Sequence, residues 1–452
     1  MSSFSARRFV TACAISAAAV AALAAPGAAS ANGPCEGTEI TGQGSSLQKL
    51  AQVNVWGPAF NTKCFGKASH VHEYNASGSG AGIKSWGASG GAANFEAKNA
   101  YVGTDQPPNA LQKEEIEKSD TKKEVNAHST LLSIPVLQAA VPITVHLPAG
   151  CTAENEFGTK RLDLKHATVE SIFEGKIVEW KQIKDFGDKY LGAGCSIIKP
   201  KAKVLFTRVV REDGSGTTAT FKKWMYTFHK TKNLPAGPAL GEEVGIVTWN
   251  ELAEANPNTL WPREKAHPVK RAAKGSGVVA LVASTENTIG YANLADARVA
   301  AFEEAPSGTG GPGTNVFWAD VENEPKKVAD PATNGEADVK GNANCENTTY
   351  TNGAKKFPPP TTEEVWNEVS STDKEKNYPI CGFTYDLSLV DFGEFAGTTP
   401  EEIQTVQEYL GYEVGAVGQT EIGTNEDYLG LPEPGGTQDV EKIAQEGAAK
   451  IG

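Results

Sequence analysis

The chain has 452 residues, with 42 Lys and Arg side chains against 55 Asp and Glu side chains and a formal net charge of −13 at pH 7. This excess of negative charge argues against a nucleic-acid partner. It also opposes the approach of small anions, so any anion site in this chain would depend on a local group of donors. The length suits two or three domains, or one protein of two lobes.

The first 31 residues are predicted to be a secretory signal peptide. Arg7 and Arg8 precede an apolar stretch rich in Ala and Val, and the small residues Ala29–Ala31 form a cleavage site before Asn32. The stretch is short and interrupted by Pro26, which argues against a membrane anchor. Cleavage leaves 40 basic and 55 acidic side chains, a net charge of −15. We therefore expect a secreted or periplasmic protein that is soluble after cleavage.

Six cysteines follow the signal peptide: Cys35, Cys64, Cys151, Cys195, Cys345 and Cys381. An even count in an exported chain indicates disulfide bonds. Six cysteines allow fifteen connectivities, and we predict pairing of nearest neighbours because each bridge would then enclose one compact stretch. The chain contains no Cys-x-x-Cys pair and its histidines are scattered, so we expect neither a metal ion nor a cofactor.

Between residues 39 and 291, short apolar segments alternate with amphipathic ones, which is typical of an α/β fold with largely parallel sheets. The predicted strands are Asn99–Val102, Val136–Val145, Lys203–Val210 and Thr288–Tyr291. The predicted helices are Ser46–Phe60, Gly82–Ala88, Val169–Glu174, Thr218–His229 and Gly277–Ser284.

The composition changes between residues 305 and 362, where Gly, Asn, Pro, Lys and Glu replace periodic apolar residues. We predict a long, partly ordered surface insertion in this region, which a bridge between Cys345 and Cys381 would hold in place. An apolar segment at Tyr378–Tyr385 follows, and then two predicted helices at Pro400–Leu410 and Thr437–Ile451.

Three loops place glycines and hydroxyl side chains immediately before a predicted helix: Gly42–Leu47, Ser77–Gly82 and Arg211–Thr217. The first turn of a helix presents unpaired N–H groups and a partial positive charge, glycine lets an anion approach the backbone, and hydroxyls add donors. Each loop alone is typical of an ordinary capped turn. Three such loops in one chain favour a site for a tetrahedral oxyanion.

Two charged side chains accompany these loops. Arg211 carries a planar guanidinium that can donate two parallel hydrogen bonds to one oxyanion, and Asp213 could orient it. Asp105 follows an apolar strand, at the position where α/β folds bind ligands. The alternatives are a surface salt bridge for Arg211 and a turn-capping role for Asp105 before the Pro-Pro pair.

The order of these segments resembles the phosphate-binding subunit of the high-affinity phosphate ABC importer. The resemblance is carried by Gly42–Ser46, Tyr74–Lys84, Val102–Asp105 and Val210–Thr217, with supporting stretches at Ile134–Pro148, Ser171–Trp180 and Thr288–Tyr291. It covers residues 40 to 300 well and the end of the chain, from Tyr378, more faintly.

The resemblance implies a two-lobed α/β fold of the periplasmic-binding-protein type (type II-like), with lobes joined by two crossing strands. The first lobe would hold residues 32–137 and 290–452, and the second residues 138–289. The implied phosphate ligands are Ser46, the backbone of Leu47, Ser79, Asp105, Arg211, Ser215, Gly216 and Thr217. Position 47 often holds an aromatic residue in the family. The implied function is to capture inorganic phosphate and deliver it to a membrane permease of an ABC importer. The resemblance further implies that the protein is a monomer and not an enzyme.

Two other functions remain open from the sequence, a secreted phosphatase and a binding protein for another oxyanion such as sulfate. Gly87–Gly91 formally matches Gly-x-Ser-x-Gly, but that motif requires a strand before the serine and a helix is predicted there. A phosphatase would also need clustered metal ligands or a nucleophile beside a base. Asp105 argues against sulfate, because a carboxylate accepts hydrogen bonds and cannot donate them.

Overall fold

The structure is a computed structural model that describes residues 37–63, 71–88, 99–118, 130–152, 162–184, 203–228, 234, 248–255, 257–302, 314–323, 327–329, 357–361, 366, 378–392, 398–424, 427–432 and 440–452. The predicted signal peptide lies outside these residues. Cys151 and Cys381 are each disulfide-bonded. The other four candidate cysteines lie outside the described residues, so the nearest-neighbour pairing stays a prediction. Among the described helices, none combines the length and apolar character that a bilayer crossing requires.

One sheet has five strands, in the spatial order β2 (Val71–Asn75), β1 (Ile40–Gly44), β3 (Asn99–Thr104), β12 (Cys381–Leu389) and β4 (Leu131–Ala140). β1 is parallel to both β2 and β3, whereas β12 is antiparallel to β3 and β4. The carboxyl ends of the three parallel strands therefore meet at one edge, where the loops that follow them can form a site.

The second sheet has the spatial order β11 (Lys327–Ala329), β10 (Val316–Asn323), β5 (Ile143–His146), β9 (Thr288–Tyr291), β7 (Thr207–Arg211) and β8 (Lys270–Ala272), with β6 (Asp163–Leu164) beside β10. β7 is parallel to β8 and β9. Arg211 is thus the last residue of a parallel strand, at the carboxyl edge of this sheet.

Helices pack on both sheets. With the first sheet lie α1 (Gly57–Lys63), which continues a π-helical segment at Ala51–Trp56, and α2 (Ser79–Ser85), α3 (Ala110–Lys118), α9 (Pro400–Glu413), α10 (Ala416–Gly423) and α11 (Val440–Ala448). With the second lie α4 (His166–Phe173), α5 (Gly216–Phe228), α6 (Trp249–Glu254), α7 (Lys274–Ser284) and α8 (Leu294–Val299).

Local sequence explains where several of these helices begin. Thr399 caps α9 by accepting a hydrogen bond from the N–H of Glu402, and Pro400 occupies the first helical position, where its missing N–H is tolerated. Thr248 and Glu251 form a reciprocal capping box at the start of α6. Asn293 caps α8 by accepting from the N–H of Asp296.

Two chain segments run side by side between the sheets. The N–H of Val141 donates to the carbonyl of Ile380 over 2.8 Å, and the hydroxyl of Tyr378 donates to the carbonyl of Val141 over 3.2 Å. Each sheet has its own buried core, with Trp56 and Tyr101 in the first and Trp224 in the second. The predicted α/β fold is confirmed, but the prediction of largely parallel sheets is wrong, because five of the ten described strand pairs are antiparallel.

The structure differs from the sequence-based expectation at the crossing between the lobes. The single strand predicted at Val136–Val145 is two strands, β4 and β5, separated by Val141 and Pro142. Pro142 has no N–H to donate and a fixed φ, so it interrupts the hydrogen-bond ladder where the chain passes from one sheet to the other.

The predicted surface insertion at residues 305–362 also differs from the structure. Residues 316–323 within it form β10, which pairs with β5 inside the second sheet and buries Phe317 and Trp318. The apolar run of this strand is short and stands within a Gly- and Asn-rich region, so the composition of the region does not reveal it. The second sheet therefore continues beyond residue 290, where we expected the first lobe to resume.

Candidate anion-binding site

Four loops meet between the two sheets, at the carboxyl edges of their parallel strands. From the first sheet come the loop after β1, the start of α2 and the loop after β3. From the second comes the loop that joins β7 to α5. The eight residues predicted as ligands are all buried: Ser46, Leu47, Ser79, Asp105, Arg211, Ser215, Gly216 and Thr217.

Asp105 accepts hydrogen bonds from residues of both lobes. The hydroxyl of Ser45 donates to Oδ1 of Asp105, and Thr384 Oγ1 lies 3.1 Å from the same oxygen. Thr217, from the second lobe, donates through Oγ1 to Oδ2 over 3.1 Å. The N–H of Asp105 donates to Ser79 Oγ over 3.2 Å. The carboxylate is thus fixed in place by hydroxyl groups from three separate parts of the chain.

The protonation of Asp105 is set by opposing effects. Burial raises the pKa of Asp105, because a charge removed from water is destabilised. The hydroxyls of Ser45, Thr384 and Thr217 and the positive charge of Arg211 lower the pKa and so limit this rise. Three donors that hold both carboxylate oxygens favour the ionised form, which can only accept hydrogen bonds.

Arg211 is 2% exposed and is held by Asp213, two residues along the chain. Its Nε donates to Oδ1 of Asp213 over 2.8 Å and its Nη2 donates to Oδ2. Burial alone would raise the pKa of Asp213, but the hydrogen bonds and charge of Arg211 outweigh burial and lower it. Asp213 therefore orients the guanidinium as expected, and it occupies the edge formed by Nε and Nη2.

Among the eight predicted ligands, two buried donors have no hydrogen-bond partner in the described residues, Arg211 Nη1 and Ser46 Oγ. Buried polar groups are nearly always hydrogen-bonded, because an unpaired buried donor costs about 1–3 kcal/mol. Both belong to the predicted ligand set. Their pairing requirement points to an acceptor supplied from outside the protein.

The remaining predicted ligands have local roles as well. The N–H of Leu47 donates to Ser45 Oγ over 3.0 Å, so a ligand would have to share this donor. Ser215 Oγ accepts from the N–H of Thr218 over 3.2 Å, which leaves its hydroxyl proton free to donate. A Cβ on Gly216 would lie 2.5 Å from the Cβ of Asp105. Only glycine permits this close approach of the two lobes.

The two lobes also touch through backbone groups. The N–H of Gly80 donates to the carbonyl of Gly214 over 3.1 Å. A Cβ on Gly80 would lie 3.2 Å from the Cα of Gly214, which is tighter than ordinary contact. Together with the bond between Thr217 and Asp105, these contacts define a closed arrangement of the cleft.

Three residues that position the site were not predicted. Ser45 stands in the first Gly-Ser loop, where the family resemblance implies its neighbour Ser46 as the ligand. Thr384 lies 279 residues from Asp105 and reaches it because β12 pairs with β3. Asn258 binds the backbone of Ser215 from 43 residues away. The position of Ser45 in the loop was the one local signal, whereas the other two contacts depend on the fold.

Within the part of the chain that the structure describes, no group of three or more His, Cys, Asp and Glu side chains could hold a metal ion. Ser89 of the Gly-x-Ser-x-Gly match lies outside the described residues, and the helix before it, α2, ends at Ser85. A helix therefore precedes the serine, where the hydrolase motif has a strand.

The sequence matches the family model of the PBP superfamily domain over residues 29–360. The chain belongs to the PBP superfamily. This PBP-superfamily chain is 24% identical over 371 residues to the phosphate-binding protein PstS of Methanocaldococcus jannaschii, an alignment that covers 82% of this chain and 76% of that protein.

Two solved structures share the fold of this PBP-superfamily chain. A phosphate-binding protein from Stenotrophomonas maltophilia superposes with a TM-score of 0.58 at 16% identity, covering 90% of this chain and 93% of that one. The high-affinity periplasmic phosphate-binding protein PfluDING, bound with phosphate, superposes with a TM-score of 0.55 at 17% identity, covering 92% and 93%. At such low identity the likeness concerns the fold.

Proposed function

We propose that this PBP-superfamily chain binds inorganic phosphate in the cleft between its lobes and delivers it to a membrane importer. The observation that carries the proposal is a buried arginine with a free Nη1, set beside a buried carboxylate that acts as an acceptor. Arg211 and Ser46 require an acceptor, and Asp105 can take one more donor because three hydroxyls occupy three of its about four acceptor sites. Phosphate at neutral pH meets both needs, because it is an anion that still carries a proton.

The helix that follows the β7 loop adds to this preference. α5 begins at Gly216 and extends for 13 residues, so its first turn presents N–H groups and a partial positive charge to an anion. Ser215 supplies a hydroxyl at the same turn, whereas Thr217 offers its backbone N–H, because its one hydroxyl proton is donated to Asp105. These groups provide the local donors that a chain of net charge −13 needs to hold an anion.

The known proteins support the same ligand. The curated relative and both solved structures are described as phosphate-binding proteins, and one was determined with phosphate bound. Delivery to a permease, action as a monomer and a periplasmic or extracellular location rest on the sequence resemblance and the predicted signal peptide. Cys151 and Cys381 are each disulfide-bonded, which fits an oxidising compartment.

The two alternative functions fit the site less well. Sulfate carries no proton at neutral pH, so its oxygens would face Asp105 as a second set of acceptors. A metal-dependent phosphatase requires clustered metal ligands, which the described residues do not contain, and the serine that lies beside a carboxylate here, Ser45, uses its proton to hold Asp105 in place as an acceptor. We therefore favour a binding protein, not an enzyme.

Binding of phosphate is expected to close the protein in solution. An anion that contacts both lobes stabilises the closed form by its higher affinity for that form. Small-angle X-ray scattering should therefore show a smaller radius of gyration after saturation with phosphate, while sulfate at equal ionic strength serves as the control and should leave it unchanged. An unchanged radius with saturating phosphate would contradict closure around the ligand.

A further inference from the structure

Asn258 makes two hydrogen bonds to the backbone of a single residue, Ser215. Its Oδ1 accepts from the N–H of Ser215 over 3.0 Å, and its Nδ2 donates to the carbonyl of Ser215 over 2.7 Å. The side chain is 3% exposed, so water does not compete for these bonds. Together they fix both peptide planes of Ser215.

The orientation of Ser215 decides where the next donors point. Ser215 immediately precedes α5, and its carbonyl accepts the first bonds of the helix, from the N–H of Ala219 over 3.0 Å. Its hydroxyl and the N–H groups of Gly216 and Thr217 follow within the same turn. A small rotation of the Ser215 peptides would move all these donors relative to a bound anion.

The segment that carries Asn258 is itself fastened to α5. Lys222, on that helix, donates through Nζ to the carbonyls of Asn258 over 2.7 Å, Leu260 over 2.8 Å and Leu252 over 3.3 Å. The same ammonium lies 4.4 Å from the ring centroid of Trp261. Lys222 of α5 thus fixes the segment that contains Asn258, and Asn258 in turn fixes Ser215 at the start of α5.

We propose that Asn258 is a positioning residue for anion binding, which holds the Ser215 turn in the orientation that the ligand requires. Asn258 acts through Ser215 and not by contact with the ligand, and Lys222 anchors it. This role rests on the proposed phosphate function and goes beyond it, because it assigns part of the affinity to a residue outside the set of ligands.

Asn61 provides a matched control. Its Oδ1 accepts from the N–H of Val71 over 3.0 Å and its Nδ2 donates to the carbonyl of Val71 over 3.0 Å. The two hydrogen bonds are of the same kind as those of Asn258. Val71 begins β2, whereas the cleft lies at the other end of that strand, so Asn61 braces a backbone residue away from the site.

The test compares Asn258→Ala with Asn61→Ala by thermal unfolding and by calorimetric titration with inorganic phosphate. Asn258→Ala removes the two bonds to Ser215 and a longer one from Nδ2 to the carbonyl of Ala253 over 3.4 Å, and Asn61→Ala removes the two bonds to Val71, so both should unfold at a lower temperature. Only Asn258→Ala should also bind phosphate more weakly, by about tenfold. The weaker binding should result from a faster dissociation rate. Asn61→Ala should keep the affinity of the unsubstituted protein.

Asn258→Asp adds a readout that loss of stability would not produce. The carboxylate keeps the acceptor for the Ser215 N–H but meets the Ser215 carbonyl with a second acceptor, so affinity should fall at pH 8. Burial raises the pKa of such a carboxyl, and once protonated it can donate to that carbonyl again. The ratio of variant to unsubstituted affinity should therefore recover as the pH falls to 5, and Asn61→Asp should show no such recovery.

The outcomes separate the two proposals. If the unsubstituted protein binds phosphate and Asn258→Ala binds it equally tightly, the positioning role is wrong and the phosphate function stands. A flat affinity ratio for Asn258→Asp between pH 5 and pH 8 likewise overturns the role. Failure of the unsubstituted protein to bind phosphate refutes the proposed function, and the positioning role with it.

Discussion

Asp105→Asn is expected to give sulfate affinity to a protein that otherwise selects phosphate. Phosphate carries at least one proton at neutral pH and sulfate carries none, so an ionised Asp105 can accept from phosphate but faces sulfate with acceptor against acceptor. In a buried site, such an unpaired contact between like charges costs several kcal/mol, which corresponds to discrimination of roughly a thousandfold. The asparagine amide can donate to sulfate and removes most of this penalty.

Phosphate binding should survive the same substitution in weakened form. Oδ1 of asparagine still accepts a hydrogen bond, but the hydroxyls of Ser45, Thr384 and Thr217 now surround an amide instead of a carboxylate. We expect a loss of about tenfold, because a charge-assisted bond becomes a neutral one. Titration calorimetry with both anions at one ionic strength measures the two changes together.

The pH dependence of the unsubstituted protein supplies the control for this substitution. Burial raises the pKa of Asp105, so the carboxyl takes up a proton at a higher pH than an exposed aspartate does. A protonated Asp105 can donate to sulfate, so sulfate affinity should increase as the pH falls, whereas Asp105→Asn should show no such increase. If the variant rejects sulfate as strongly as the unsubstituted protein, Asp105 only caps a turn and the choice of phosphate loses its physical basis.

Arg211→Ala should weaken phosphate binding by about a hundredfold. The substitution removes charge-assisted hydrogen bonds, each contributing about 1.5–3 kcal/mol, and leaves the Asp213 carboxylate without its cation beside the incoming anion. Arg211→Lys should recover only part of the loss. A lysine ammonium is a point charge, which cannot hold both oxygens of Asp213 and also present a further donor to the ligand.

Arg208 provides the matched control for this pair of variants. It is a buried arginine three residues earlier on β7, where it donates to the carbonyls of Phe173, Pro262 and His267 and not to any group of the cleft. Arg208→Lys should lower the free energy of unfolding and leave phosphate affinity unchanged. Titration calorimetry measures the phosphate affinity of all three variants. Unchanged affinity in Arg211→Ala would show that Arg211 is not a ligand.

The candidate site was predictable to the extent that its parts are local in sequence. Ser79, Asp105, Arg211 and Thr217 each lie at a strand end or a helix start, and a short run of residues reveals that position. Thr384 has no such signal, because it reaches Asp105 only through the pairing of β12 with β3. A hydroxyl on a buried strand has the same local sequence whether or not it faces a ligand site.

The fold, like the site, was predictable from the sequence only where an element has a local signal. The strand Thr288–Tyr291 has the predicted bounds, since its apolar residues stand between clear turn signals. β10 was missed because its neighbours in sequence are polar and rich in glycine, while its pairing partner, β5, lies about 170 residues earlier. Long-range pairing decided both which strands form the second sheet and which groups surround Asp105.

The central claim is that the cleft selects phosphate through one arginine and one ionised carboxylate. Titration calorimetry of the mature chain with phosphate, sulfate and a phosphate monoester, on one sample at pH 8, tests it most directly. We expect saturable binding of one phosphate per chain, sulfate binding weaker by roughly a thousandfold, and neither tight binding nor hydrolysis of the ester. Absence of phosphate binding, or equal affinity for sulfate, would contradict it.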